Sequence, residues 1–220
     1  MNKGKLIVID GLDGSGKSTQ LEICRDRLCR MGHIVKVISF PDYSSQSSAL
    51  VKMYLNGEFS QDPDAVNAYA ASSFYAVDRY ASYMTCWKEN YDRGEIILSA
   101  RYVSSNGIHQ MSKLPEEEWD EYLEWLHDFE YNKLSLPVAD KVIFLDMPIE
   151  ISQMLLSKRY NGDDDKKDIH ESNVDYLHKC RKSALYAAKK MNWNVIPCNI
   201  GERPDTQENI SDKIIRAIQS

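Results

Sequence analysis

The octapeptide GLDGSGKS, residues 11–18, sits between the apolar run LIVI (6–9) and the stretch KSTQLEICRDRLCRM (17–31). It fits G-x-x-x-x-G-K-[ST], a loop that works only where a buried strand feeds a tight turn and a helix starts at once. The flanks satisfy that demand. LIVI reads as a short buried strand, and the apolar residues at 21, 24, 28 and 31 have helical spacing. Gly32 stands where that helix should end, and IVKVI (34–38) reads as a second strand. Strand, helix, strand in this order predicts a βαβ unit and therefore a parallel sheet.

The alternation continues along the chain. After a serine-rich loop, Asp62-Pro63 offers an N-cap and a first-turn proline, predicting a helix to about Arg93 that Gly94 ends. EIILS (95–99) predicts a third strand, and Pro115 with three glutamates opens a further helix. KVIFLDM (141–147) predicts a fourth strand, followed by a helix over IEISQMLLSKR. YNGDDDKKD (160–168) predicts a mobile loop. A helix from about Asn173 to Met191, a strand at WNVIP (193–197) and a last helix near 207–218 complete the chain. No repeat or linker interrupts it, so one domain over 1–220 is expected, with a three-layer α/β/α arrangement of about five parallel strands.

In such a loop, glycines let successive backbone N–H groups turn inward around an anion, and the helix start adds its positive end. Residues Gly11, Leu12, Asp13, Gly14, Ser15, Gly16, Lys17, Ser18 and Thr19 are therefore expected to hold the phosphates of a nucleotide. Lys17 would reach the outer phosphates and Ser18 would offer a hydroxyl to Mg2+. GTPases, motor-type ATPases and small kinases share this loop, but no guanine-reading N-K-x-D occurs. Three later segments bear on the second substrate. FPDYSS (40–45) follows the second strand, at the edge where parallel sheets bind ligands. In FYAVDRY (74–80), Tyr75 and Arg79 lie four apart and share a helix face. An aromatic ring there can stack on a base, and the guanidinium fork can hold a phosphate or a base carbonyl. ARYVSSNGIHQ (100–110) leaves the third strand with Arg101 aimed at phosphates and with Asn106 and Gln110 able to read a base edge.

A formal net charge of −6 disfavours a polyanionic partner such as nucleic acid. Cysteines at 24, 29, 86, 180 and 198 are odd in number and lack CxxC spacing, so free thiols in a reducing cytoplasm are expected. No apolar run approaches the ~20 residues of a membrane span, and the N-terminal one is too short for a signal peptide. His109 and His170 are expected to be ordinary polar residues, since a phosphate acceptor is already ionised near pH 7 and needs no general base.

Taken together, these segments resemble the thymidylate kinases, nearly end to end. GLDGSGKSTQ is similar to the family's P-loop, where an acid at the position of Asp13 lies near the acceptor's sugar and phosphate. Phe40-Pro41 is similar to the pair lining the acceptor pocket, and Tyr75 and Arg79 match a thymine-stacking aromatic and an acceptor-binding arginine. RYVSSN matches the family's Asp-Arg-Tyr segment, with Ser105, Asn106 and Gln110 near the base. SKRYNGDDDKKDIHE resembles the lid, about 158–172, with Arg159 leading and Glu171 at its frequent acid. The resemblance implies a P-loop kinase fold, transfer of the γ-phosphoryl group of ATP to dTMP with Mg2+, a homodimer packed through helices, and Lys17, Arg101 and Arg159 as the catalytic residues.

Three departures stand out. Gly14 occupies a loop position where some members carry arginine, which implies that lid residues take over. Arg159 leads these, ahead of Lys158, Lys166 and Lys167. Tyr43 stands where many members have a phosphate-binding arginine. Ala100 stands where the family usually has aspartate, leaving Ser18 and Asp10 as expected metal ligands. Loss of such an acid typically costs ~10–100-fold in metal affinity or activity. Another (deoxy)nucleoside monophosphate or a nucleoside as acceptor, or a catalytically weak nucleotide-binding protein, remain as alternatives.

Overall fold

The computed structural model describes residues 3–60, 62, 65–159 and 174–220. Five strands form one sheet: β1 (Lys5–Gly11), β2 (Val35–Ser39), β3 (Ile96–Ala100), β4 (Lys141–Asp146) and β5 (Asn194–Pro197). Their order is β2-β3-β1-β4-β5, and every ladder is parallel. The expected α/β/α layering with five parallel strands is therefore what the chain adopts. β1 lies at the centre, and LIVI is buried on both faces, as a central parallel strand requires.

Strand alternation divides the core. Ile7 and Ile9 face the helices α1 (Lys17–Arg30) and α9 (Gln207–Gln219), packing with Leu21, Cys24, Leu28, Ile210 and Ile214. Leu6 and Val8 face the opposite layer, with Trp87, Tyr102, Tyr122 and Leu126. That layer contains α3 (Ala68–Ser82), α5 (Ser104–His109), α6 (Trp119–His127) and α8 (Val174–Lys190). Truncating a fully buried residue such as Ile9 to alanine costs about 2–5 kcal/mol, because the transfer energy is lost and a cavity remains.

Several boundaries differ from the sequence reading. α3 begins at Ala68, where the Asn67 side chain accepts from the Ala70 N–H at 2.8 Å, so Asn67 and not Asp62 is the cap. The predicted long helix is also interrupted. A π-helical turn over Tyr83–Trp87 separates α3 from α4 (Lys88–Asp92), and it buries Tyr83 and Trp87. The serine-rich loop contains α2 (Ala49–Leu55), entered through a 3-10 turn at Gln46–Ser48. α6 runs into a second π-helical turn, Asp128–Lys133. α7 (Ile149–Arg159) follows β4, and a two-stranded antiparallel pair, β6 (Asn199–Ile200) and β7 (Arg203–Pro204), lies between β5 and α9. All five cysteines are free. No helix among the described residues is long and apolar enough to cross a membrane.

Candidate functional site

β1 delivers the chain to the glycine loop and α1 leaves it, with Gly16 as N-cap in the left-handed region at φ 88°. Gly14 is also left-handed, at φ 76°, and a Cβ there would lie 2.8 Å from the Ser152 carbonyl oxygen on α7. Both facts bar a side chain at position 14, so the absence of a loop arginine has a physical reason in this chain. Lys17 arches back over the loop, and its Nζ donates to the Leu12 carbonyl at 2.8 Å and to Asp13 Oδ1 at 3.5 Å. Ser18 and Thr19 stand on the wall of a cavity of about 630 Å3.

β3 lies next to β1 in register Ile9–Ala100, which brings Arg101 beside the loop. Arg101 sits in the left-handed region at φ 65°. Such a conformation costs about 1–3 kcal/mol and persists only where neighbours hold it. They do so here: its N–H donates to the Ile9 carbonyl at 3.1 Å, and its own carbonyl accepts from Ser99 Oγ at 2.6 Å. The guanidinium donates to Asp13 Oδ1 at 2.5 Å and lies 2.8 Å from His109 Nε2. Burial opposes ionisation of Asp13, but Arg101 and Lys17 outweigh it and hold the carboxyl well below its usual range. Burial and the nearby Arg101 charge pull Lys17 down to about 8, against the opposing effect of Asp13. Burial disfavours the Arg101 cation, yet Asp13 and Asp10 keep it firmly protonated.

The far wall of the cavity is built by side chains from distant segments. Phe40 and Pro41 follow β2, and the Phe40 N–H donates to the Ala100 carbonyl at 3.0 Å. Tyr75 and Arg79 come from one face of α3, as their spacing predicted, and Ser105, Asn106 and Gln110 come from α5 and its end. Gln110 is 2% exposed, and its Oε1 is buried with no hydrogen-bond partner. Tyr176, on α8, closes this side and donates its hydroxyl to the His109 carbonyl at 3.2 Å.

The cavity thus collects Asp13, Gly14, Gly16, Lys17, Ser18, Thr19 and all the residues expected against an acceptor. Gly11, Leu12 and Ser15 are buried behind the loop. Asp10, expected as a metal ligand, is instead fully buried off the wall. Its carboxylate accepts from Ser104 Oγ (2.6 Å), Ser105 Oγ (2.8 Å) and the Gly11 N–H (2.9 Å). Ser105 accordingly spends its hydroxyl on Asp10. The Arg159 side chain, Lys166, Lys167, His170 and Glu171 lie outside the described residues. Lys158 is exposed. Sequence reasoning missed Ser39, Leu55, Leu155, Leu156, Tyr176 and Gln207 on the wall, and it underrated His109. Only His109 had a local signal, in the segment after Arg101.

Arg79, expected to hold a phosphate or a base carbonyl, is also half of a buried ion pair: Nε and Nη2 donate to Glu130 at 2.7 and 2.5 Å. Arg79 is 1% and Glu130 0% exposed.

The sequence matches the thymidylate kinase family over residues 9–210. It is 28% identical over 185 residues to the thymidylate kinase of Mycobacterium tuberculosis, covering 83% of this chain and 84% of that one. It is 27% identical over 188 residues to a probable thymidylate kinase of Caldivirga maquilingensis, covering 86% and 82%. The human thymidylate kinase is 27% identical over 147 residues, covering 67% of this chain and 63% of its own. A solved thymidylate kinase from Candida albicans shares the fold, with a TM-score of 0.72 at 22% identity over 99% of this chain and 92% of that one. With the glycine loop, Arg101, Tyr75 and Arg79 all lining one cavity, the match over most of its length places this chain in the thymidylate kinase family.

Proposed function

We propose that the protein transfers the γ-phosphoryl group of ATP to dTMP, giving dTDP. The observation that carries this reading is one cavity with the phosphate loop at one end and Phe40, Tyr75, Arg79, Asn106 and Gln110 at the other. Arg101 stands between the two ends and is held on Asp13. Such transfer asks a protein for alignment and neutralising charge more than for covalent chemistry. Lys17 and Arg101 supply cations at the seam, and Arg159 and the lid segment are assigned the remaining charge. The dTMP phosphate needs no general base, so His109 serves Arg101 through its ring nitrogen.

The metal fits as a passenger of the nucleotide. Among the described residues no group of three or more His, Cys, Asp or Glu could hold an ion. The exposed Ser18 hydroxyl on the cavity wall suits Mg2+, which takes one or two protein oxygens beside substrate phosphates. When bound, the ion would neutralise charge on the transferring phosphate. Asp10, committed to three donors, would steady the loop from behind. Ala100, on the cavity wall, contributes no side-chain oxygen, so we infer normal nucleotide binding with slow turnover.

A homodimer is part of this reading. Val77, Tyr80 and Met84 are each at least 42% exposed and follow one another at spacings of three and four along α3 and its π-helical turn. An apolar stripe of this kind suits a helix-to-helix contact between two copies. Tyr80→Glu should then yield monomers in sedimentation velocity, and an unchanged mass would refute the assignment.

The decisive experiment is mass detection of dTDP from ATP and dTMP, with and without Mg2+. Magnesium-dependent dTDP supports the reading. Tight binding of both nucleotides with no dTDP over hours would sink it and leave a nucleotide-binding protein. Competition by dUMP, dCMP and thymidine tests the choice of acceptor.

A further inference from the structure

We propose that Glu130, which lies off the cavity, is a positioning residue that sets base selectivity by fixing which atoms of Arg79 and Asn106 face the acceptor. The inference rests on the assignment of the cavity to a nucleoside monophosphate acceptor. Glu130 sits on the π-helical turn after α6, in a layer that also carries Tyr122, and is fully buried. Its Oε2 accepts from Arg79 Nε at 2.7 Å, and its Oε1 accepts from Arg79 Nη2 at 2.5 Å and from Asn106 Nδ2 at 3.1 Å. One carboxylate therefore clamps two side chains from two helices, and both of those line the cavity.

The donor inventory gives the consequence. A guanidinium has five N–H groups. Glu130 takes two of those on Arg79, and the Tyr102 carbonyl takes a third, from Nη1, at 3.4 Å. One N–H on each terminal nitrogen remains for a ligand. The Asn106 amide nitrogen is turned inward, toward Glu130 and toward the Ser72 carbonyl at 3.3 Å. Both of those partners only accept, so the amide keeps its oxygen as the group to offer. The pair thus presents donors from Arg79 and an acceptor from Asn106. That pattern complements a base edge with a carbonyl beside a ring N–H, as in thymine or uracil. Cytosine inverts it, bringing an amino group against Arg79 and a bare ring nitrogen against the amide oxygen. Mispaired polar groups in a site this buried are expensive, and sites built to hydrogen-bond a ligand reject mismatches strongly.

Without Glu130, the guanidinium and the amide are free to rotate, and the pattern is no longer unique. The charge-keeping variant Glu130→Asp tests this, because its shorter side chain cannot clamp both partners in place. The kcat/KM preference for dTMP over dCMP should fall about tenfold or more, with KM for dTMP raised. kcat at saturating dTMP and KM for ATP should stay within about twofold, since the phosphate loop is untouched. A residue of purely structural importance would lower the melting temperature and leave the preference unchanged, and that result overturns the proposal. The double variant Arg79→Met/Glu130→Gln, which leaves no unpaired buried charge, covers the case where Glu130→Asp does not fold. Because Glu130 also holds Asn106, the preference of the double variant should fall to that of Arg79→Met alone or below it. A double variant that keeps the wild-type preference overturns the proposal. Absence of dTDP with the wild-type protein would instead count against the function itself.

Discussion

The phosphate end of the cavity draws on one short segment, Asp13 to Thr19, whereas the base end draws on Phe40, Tyr75, Arg79, Asn106 and Gln110, carried by separate segments. The first is largely backbone, bent by glycines and closed by Lys17 on the Leu12 carbonyl. The second is all side chains, held from behind by a buried carboxylate. The difference predicts two kinds of failure. Damage to the loop should weaken every triphosphate alike, because amides and ammonium groups read charge. Damage to the base end should change which acceptor is used and leave the donor alone.

The largest effect should come from the loop. Lys17→Met removes the one mobile cation that the loop itself supplies. We expect kcat/KM for both substrates to fall ~10^2–10^3-fold, as for loss of a preorganised charge at a transition state. dTMP binding by calorimetry should barely change, and a comparable loss of dTMP affinity would break the division between the two ends. At the seam, Ala100→Asp should act in the opposite direction. Position 100 lies on the cavity wall next to Arg101 and in register with Ser39 and Ile9. An acid there can orient a metal-bound water or Arg101, and kcat should rise ~10–100-fold with nucleotide affinity unchanged. Steady-state kinetics with unchanged kcat would show that the missing acid is not the limitation.

A smaller effect is expected at the base end. Tyr75 is half-buried on the wall, and burial holds its phenol neutral throughout the working range. Stacking of a base on an aromatic ring is worth ~1–3 kcal/mol, so Tyr75→Ala should raise KM for dTMP about tenfold or more. KM for ATP should not move. Equal shifts in the two KM values would mean that the two ends are not separate.

The same contrast explains what the sequence disclosed. The phosphate loop, its strand and its helix were legible because each signal there is local: the glycines and Lys17 share one octapeptide, and the apolar spacing of α1 follows it directly. Tyr75 and Arg79 were legible as a pair because helical spacing alone puts them on one face. Glu130 was not, since its partners Arg79 and Asn106 are brought to it by tertiary packing, across sequence gaps of 51 and 24 residues. Tyr176 and Gln207 escaped notice for the same reason. The hydrogen bonds of Asp10 to Ser104 and Ser105 were not legible either, since tertiary packing brings those hydroxyls to it across gaps of 94 and 95 residues. The cap at Asn67 was missed because Asp62-Pro63 carries the stronger local signal, and the π-helical turn over 83–87 leaves no residue pattern of its own.

The smallest effect separates the chemistry of the loop from its stability. Burial and Arg101 lower Lys17 to about 8 from its ordinary 10.5. Below that value the ammonium is charged and grips phosphate, and above it the free protein loses the charge. kcat/KM for ATP should therefore be flat to about pH 7.5, drop about fourfold by pH 8.5, and then fall about tenfold per unit. Bound phosphates favour the ammonium, so kcat should break at a higher pH than kcat/KM. Stability should move the other way. Between about 8 and 10.5 the unfolded chain binds the Lys17 proton and the folded chain does not, so this group's contribution to stability rises with pH. Loss of activity across that window then does not come from Lys17 weakening the fold, and a melting curve at each pH checks that the protein stays folded. Asp13→Asn removes the anion that supports the charge and should shift the break to lower pH. A break that stays in place would mean that Asp13 does not hold Lys17, although the two lie 3.5 Å apart.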